Sequence, residues 1–144
     1  MTVFETEIAI AAPASQVWPI LADVEQWPDW AASFASVTPL DDKLLGIGSR
    51  VRIKQPKLSS GEWIITDWQP GKNFTWEMRR AGVSVTGEHI LIADENHCSF
   101  RQRLRFEGLI GRLSALMGRS LIKDYMAIEA RGLKARCEIA FGLD

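Results

Sequence analysis

The stretch LIGRLSALMGRSLIKDYMAIEARGLKARCEI, residues 109–139, carries most of what this sequence says about its fold. Its apolar and small residues recur every three or four positions, the spacing of one helical face, and no proline interrupts them. The basic residues Arg112, Arg119, Lys123 and Lys134 fall on the opposite side. The pattern predicts one long carboxyl-terminal helix. Its inward stripe is Ile110, Leu113, Met117, Leu121, Tyr125, Ile128, Gly132, Ala135 and Ile139.

The two halves of this predicted helix differ in side-chain size. The first half directs Leu and Met side chains inward, whereas the second half carries Gly132 and Ala135, beside which another backbone can approach closely. We therefore expect a curved sheet that packs tightly against the second half of the helix and leaves an apolar hollow beside the first half.

The residues before the helix predict a sheet of about seven strands. Residues 3–11 alternate apolar and polar side chains, as a half-buried strand does, and the segments around Val17 and Trp27 predict two short helices after it. A short strand is expected within residues 34–40. Five more are expected at residues 49–55, 61–68, 73–80, 83–92 and 98–106, separated by Gly, Pro, Ser and Asn turn signals. The predicted class is α+β, with an antiparallel sheet around the long helix and a single domain over residues 1–144.

The alternation also assigns the faces of the strands. The even-numbered residues of the first and last strands should point inward, towards the helix. On the outer face, Glu5 and Glu7 are expected to meet Arg103 and Arg105 if these two strands pair.

Composition and charge exclude several classes of protein. A hydrophobic content of 47% and a net charge of -1 are ordinary for a globular chain and argue against a nucleic-acid-binding protein. The first twelve residues lack the basic start of a signal peptide, and no apolar run is long enough for membrane insertion. Cys98 and Cys137 are too few for a disulfide framework, so a cytoplasmic location is expected. The partner expected is a hydrophobic small molecule, and the chain is expected to be a monomer or a homodimer.

Several short motifs accompany this order of elements. They are Ile8-Ala9-Ile10-Ala11-Ala12-Pro13, Val17-Trp18, Leu21-Ala22-Asp23, Trp27-Pro28-Asp29-Trp30, Gly46-Ile47-Gly48 and Phe106-Glu107-Gly108-Leu109. Over nearly its whole length the chain resembles the polyketide cyclase/dehydratase-like family of the START and birch-pollen-allergen (SRPBCC) superfamily, which has the helix-grip fold. The resemblance implies a site for apolar or amphipathic molecules between helix and sheet. Some members of the family act as cyclases or aromatases.

The candidate ligand-binding residues are inward-facing side chains that would line the hollow. They are Phe74, Trp76, Met78, His89, Gln102, Leu104, Leu113, Met117, Leu121 and Tyr125. The aromatic rings suit stacking on a flat ligand, and Met suits an adaptable wall. Core packing explains the apolar members equally well. Tyr125 is the only tyrosine of the chain, and its hydroxyl needs a partner if it is buried.

His89 is the candidate with the widest range of chemical roles. Placed in a hollow, it would hydrogen-bond a ligand carbonyl or act as a general acid or base. The alternative is a core imidazole satisfied by a neighbour such as Gln102 or Tyr125. No cofactor and no metal site are expected, since the two histidines and two cysteines lack metal-site spacing.

Three functions follow from these observations. The first is binding of a lipid, a sterol or an aromatic polyketide-like molecule in the hollow. The second is cyclisation or dehydration of a polyketide, with His89 and Tyr125 transferring protons; whether the chain is an enzyme stays open, and no catalytic residue is assigned. The third is a partner-binding module that uses the outer arginine-bearing face of the sheet.

Overall fold

Seven strands and four helical segments make up residues 1–41 and 43–142, which the computed structural model describes. The strands form one antiparallel sheet in the order β1-β7-β6-β5-β4-β3-β2, so that β2 to β7 follow one another as a meander and β1 pairs with β7. Between Ile65 and Asp67 the register of β4 shifts, an irregularity of the kind that bends a sheet. The strands are β1 (Thr2–Ile10), β2 (Ser36–Pro39), β3 (Arg50–Lys54), β4 (Gly61–Gln69), β5 (Asn73–Arg80), β6 (Val83–Asp94) and β7 (His97–Glu107).

Two short helical segments follow β1, as predicted. They are α1 (Ala14–Ala22) and a 3-10 helix (Val24–Asp29). Trp27 is fully buried, its Nε1 donates a hydrogen bond of 2.9 Å to the Leu21 carbonyl, and its ring packs 5.2 Å from those of Phe34 and Trp76. This tryptophan anchors the helical segments to the inner face of the sheet.

The prediction of a single helix over residues 109–139 is wrong. The chain forms α2 (Leu109–Met117) and α3 (Arg119–Ala140), which meet at Gly118, a residue type with low helix propensity. At the other end of α2, the backbone N–H groups of Ile110 and Gly111 donate hydrogen bonds of 3.0 and 3.2 Å to the Gly82 carbonyl. The turn between β5 and β6 therefore holds α2 in place, and Gly118 separates α2 from α3.

The inward face of α3 lies one position away from the predicted stripe. Its buried residues are Met126, Glu129, Ala130, Leu133 and Cys137. Ile139 of the predicted stripe is instead 65% exposed. The helical spacing is right and the phase is wrong, because the predicted stripe excluded a charged residue from the buried face.

The core is filled at one end of α3 only. The carboxyl-terminal half of α3 packs into the main apolar cluster with β1, α1 and the 3-10 helix, and that cluster includes Ile10, Leu21, Trp27, Leu133 and Cys137. At the other end, α2 and the first turns of α3 cover a hollow in the sheet. This is the division between a tight half and an open half that the helix sequence predicts.

The outer face of the sheet carries paired charges. Arg103 lies opposite Glu5, with 3.2 Å between Nε and Oε2, and Arg101 pairs with Glu7 at 2.8 Å. The pairing expected for Arg105 is wrong: Val3 lies opposite Arg105, which contacts Glu107 at 3.0 Å. Such exposed pairs contribute at most about 1 kcal/mol each.

Candidate functional site

A cavity of about 500 Å³ lies between the inner face of the sheet, α2 and the first half of α3. Most of its wall is apolar, and its polar groups are few, as in sites for small organic molecules. Seven of the predicted site residues line it: Trp76, Met78, His89, Gln102, Leu104, Leu121 and Tyr125.

Three predicted site residues lie elsewhere. Leu113 and Met117 are 56% and 79% exposed on the outer side of α2, because the break at Gly118 leaves Gly111 and Ala115 as the residues by which α2 packs on the sheet. Phe74 is fully buried behind the wall of the cavity. Its ring stacks on that of His89 with 4.3 Å between centroids, so it supports a lining residue without lining the cavity itself.

Burial divides the cavity into a deep end and a mouth. Trp76, His89, Gln102 and Glu129 are each less than 8% exposed and form the deep end. At the mouth, exposed residues of the β3–β4 and β5–β6 turns face α2 and the start of α3. A ligand would therefore enter at α2 and meet the buried polar groups last.

Gly87 leaves room for the Trp76 ring at the deep end of the cavity. It lies opposite Trp76 in the pairing of β5 with β6. A Cβ at this position would lie 3.1 Å from Nε1 of the indole, so the tryptophan lies directly over the glycine. A larger residue in place of Gly87 would push the Trp76 ring into the cavity.

Among the described residues the ring nitrogens of His89 have two polar contacts, and neither is with Gln102 or Tyr125. Its Nδ1 lies 3.4 Å from the Phe74 carbonyl oxygen, and its Nε2 lies 3.5 Å from Oε1 of Glu129. Because a carbonyl oxygen only accepts hydrogen bonds, the first contact requires Nδ1 to carry a proton. The other nitrogen then faces the carboxyl group across the wall of the cavity.

Glu129 is the functional candidate that the sequence analysis missed. It lies on the buried face of α3, and Oε1 has no hydrogen-bond partner among the described residues. One signal pointed to it: Ile122, Met126, Leu133 and Cys137 form a second apolar stripe, and Glu129 is the charged residue within that stripe. A charge on an otherwise apolar face is a candidate for a paired or functional group.

Two more polar residues that line the cavity, Gln102 and Tyr125, already have partners. The Thr6 hydroxyl donates a hydrogen bond of 2.9 Å to Oε1 of Gln102, which leaves the amide nitrogen of Gln102 to donate elsewhere. Tyr125 donates its hydroxyl to the Pro56 carbonyl at the mouth. The tyrosine therefore ties α3 to the loop after β3.

Neither a metal-binding cluster nor a membrane-spanning helix is present in the residues that the structure describes. Residues 1–41 and 43–142 contain no group of three or more His, Cys, Asp or Glu side chains arranged to hold a metal ion. Within the same ranges, none of the helices has the length and apolar character needed to cross a membrane.

The sequence profile of the family described as "Polyketide cyclase / dehydrase and lipid transport" matches residues 1–138. The chain belongs to this family. The match confirms the family that the motifs indicated. The family description also agrees with a cavity for apolar molecules between sheet and helix.

Several solved structures share the fold of this chain at low sequence identity. A norcoclaurine synthase point mutant from Thalictrum flavum, bound to a transition-state analogue, superposes with a TM-score of 0.77 at 13% identity, over 98% of this chain and 96% of that one. The Zhui aromatase/cyclase from Streptomyces sp. R1128 gives 0.73 at 18% identity, over 95% and 93%. The protein Ara h 8.0201 gives 0.70 at 12%, over 94% and 97%. These likenesses establish the helix-grip fold, and no curated protein matches the sequence.

Proposed function

We propose that this member of the family binds an apolar or amphipathic small molecule, such as a lipid, a sterol or an aromatic polyketide-like compound, in the cavity beneath α2. The observation that carries the proposal is a cavity of about 500 Å³ with a mostly apolar wall. This volume falls inside the range of roughly 300–1,000 Å³ found for small-molecule sites.

Apolar contact would supply most of the affinity. Each Å² of apolar surface removed from water contributes roughly 25 cal/mol before the costs of association. Trp63 and Trp76 offer flat faces, while Met78 and Met126 offer side chains that adapt to the shape of a ligand. His89 and Gln102 at the deep end would orient its polar group.

A thermal-shift screen with lipids, sterols and aromatic polyketide-like compounds tests this function. A ligand present at about 100 times its Kd stabilises the folded state by about 2.7 kcal/mol, which raises the Tm of a domain of this size by roughly 5–10 °C. If no apolar compound of the panel raises the Tm, the proposal is wrong.

Two tryptophan substitutions give the screen a matched pair of variants. Leu104→Trp fills part of the cavity and should reduce the shift, because Leu104 lines it. Met117→Trp adds the same side chain on the exposed side of α2, at a residue that is 79% exposed, and should leave the shift unchanged.

A second candidate function is proton-transfer catalysis on a polyketide-like substrate. It is supported by His89, which lines the cavity and faces a carboxyl group at 3.5 Å, and by the name aromatase/cyclase of one structural relative. Tyr125 is the weaker of the two residues expected to serve it, because its hydroxyl is engaged with Pro56. His89→Gln should abolish turnover of a model polyketide and largely spare binding; unchanged turnover would exclude His89 from the reaction.

A further inference from the structure

The buried carboxyl group of Glu129 is the one polar group at the deep end that neither the family nor the sequence analysis assigns. Its side chain is 9% exposed, that of His89 is 6% exposed, and both line the cavity. A buried carboxyl group without a full set of partners is costly, because its water shell is lost. His89 at 3.5 Å is its one polar contact among the described residues, and Oε1 still lacks a hydrogen bond.

The contact between the two side chains uses only part of the carboxyl group. Nδ1 of His89 is directed at the Phe74 carbonyl, which leaves Nε2 to face Oε1 of Glu129 at 3.5 Å. Because a carboxyl group has two oxygens and can accept several hydrogen bonds, this one contact leaves accepting capacity on Glu129 unused.

The surroundings do not compensate for this deficit. His89 lies among the rings of Trp27, Phe74, Trp76 and Phe100, none of which offers a donor to Glu129. Among the described residues, His89 is the one basic side chain that contacts Glu129; the arginines of β7 pair with carboxylates on the outer face. Because Oε1 is fully buried, Oε2 is the oxygen through which this lining residue can accept a hydrogen bond in the cavity.

We infer that Glu129 accepts a hydrogen bond from the ligand, and that the protein therefore selects a ligand with a hydroxyl group at its deep end. The inference rests on the proposed binding function and names the chemical group that this end of the site recognises. Since Oε1 is fully buried beside His89, the hydroxyl proton is directed at Oε2 of Glu129, and the amide nitrogen of Gln102 is left to donate to the oxygen of the same group or to a neighbouring carbonyl. The apolar body of the ligand extends from there towards α2.

The contact favours a ligand that carries the hydroxyl group, because leaving a buried carboxyl group without its hydrogen bond costs more free energy than forming the bond gains. A ligand without the hydroxyl leaves the buried carboxyl group unsatisfied and also displaces any water that served it. A site built around a buried polar group rejects the matching analogue that lacks the partner. Hydrogen bonds that involve a charged group are the stronger ones, so the effect on affinity should be measurable.

Two small probes of nearly equal shape test the inference: 2-naphthol and 2-methylnaphthalene. Their affinities are measured by equilibrium dialysis with the folded wild-type protein and with Glu129→Leu. Replacing the carboxyl group with an apolar side chain should leave 2-methylnaphthalene bound at least as well and should weaken 2-naphthol. The ratio of the two affinities is expected to shift by about tenfold against 2-naphthol, the size of a hydrogen bond to a charged group.

Two more variants complete the design. Glu129→Gln keeps a neutral acceptor and should shift the ratio in the same direction by about threefold, since neutral hydrogen bonds are roughly half as strong; it also serves if the leucine variant does not fold. Glu25→Gln removes an exposed carboxylate from the 3-10 helix and should leave the ratio unchanged.

The outcomes separate the inference from the function on which it rests. If both probes bind and the ratio of their affinities is the same in wild type, Glu129→Leu and Glu129→Gln, then Glu129 does not bind the hydroxyl group. The binding function stands in that case. If neither probe binds the wild-type protein at the limit of its solubility, the deep end does not take an aromatic ring with a hydroxyl group and the inference fails, whereas the thermal-shift panel decides the binding function separately.

Discussion

The carbonyl oxygen of Trp30 lies directly against the Cα atom of Gly132. A Cβ atom at position 132 would lie 2.0 Å from that oxygen, a separation that real Cβ atoms do not show. This contact brings the segment after the 3-10 helix onto α3, so the tight half of the fold depends on a glycine in the middle of a helix.

Replacing Gly132 should therefore destabilise the protein although alanine favours helices. The gain in helix propensity is about 1 kcal/mol, whereas overpacking costs about 1–3 kcal/mol, and a separation of 2.0 Å from a backbone oxygen places this substitution at the upper end. Chemical denaturation of Gly132→Ala should show the net loss. Gly46→Ala is the control, because a Cβ at Gly46 meets nothing within 4 Å and stability should change by less than about 0.5 kcal/mol. Equal stabilities of the two variants would contradict the close contact.

Two methionines on either side of the break at Gly118 should respond differently to truncation. Met126 is 5% exposed and packs in the cluster beside the cavity, so Met126→Ala should lower the free energy of unfolding by about 2 kcal/mol. Met117 is 79% exposed, and Met117→Ala should change it by less than about 0.5 kcal/mol. Urea denaturation of both variants measures the difference. A large loss on truncating Met117 would mean that residues 109–139 do form one helix with the predicted inward stripe.

Glu138 makes the stability of the protein dependent on acid pH. The Lys134 ammonium donates to Oε2 of Glu138 at 2.6 Å and the Ala11 backbone N–H at 2.9 Å, and these hydrogen bonds hold the pKa of Glu138 below its ordinary value. Because the pKa is lower in the folded state, the carboxylate stabilises the fold above the ordinary pKa near 4.5, and this contribution is lost as the pH falls through the folded value.

We expect Glu138→Gln to lower the free energy of unfolding by about 1 kcal/mol at pH 7, a modest value because the side chain is 23% exposed. The difference from wild type should be smaller at pH 3, because the stabilisation by the carboxylate declines once the pH falls below the ordinary pKa of 4.5. Urea titrations at the two pH values measure it, with Glu25→Gln as an exposed control. A difference that stays the same at both pH values would show that charge is not the cause.

The two cysteines should be unreactive in the folded protein. Cys137 is 1% exposed, and burial raises the pKa of its thiol to about 12, so almost no thiolate is present at pH 8. Burial also raises the pKa of Cys98. Ellman's reagent should therefore release little chromophore from the native protein and two equivalents after denaturation in guanidinium chloride. Rapid reaction of either thiol in the native state would contradict this packing.

Much of the sheet could be predicted from the chain alone. In β5 the alternation of Phe74, Trp76 and Met78 with polar residues gives the strand and its inner face, because successive side chains of a strand point to opposite sides. The same rule places His89 and Gln102 on the inner face, where the structure has them opposite each other. Gly132 likewise indicated close packing before its neighbour was known.

The tertiary structure alone decided where the final helix breaks and which of its faces is buried. A helical period is compatible with two adjacent stripes, and only contacts with the sheet select between them. The sequence pattern favoured Leu113, Met117 and Ile139, because these large apolar residues recur at helical spacing. Glu129 can be buried because folding brings it 3.5 Å from His89, which lies forty positions earlier in the chain. Short-range periodicity carries no information about such a pairing. The sequence therefore could not predict which polar residues meet at the deep end of the cavity.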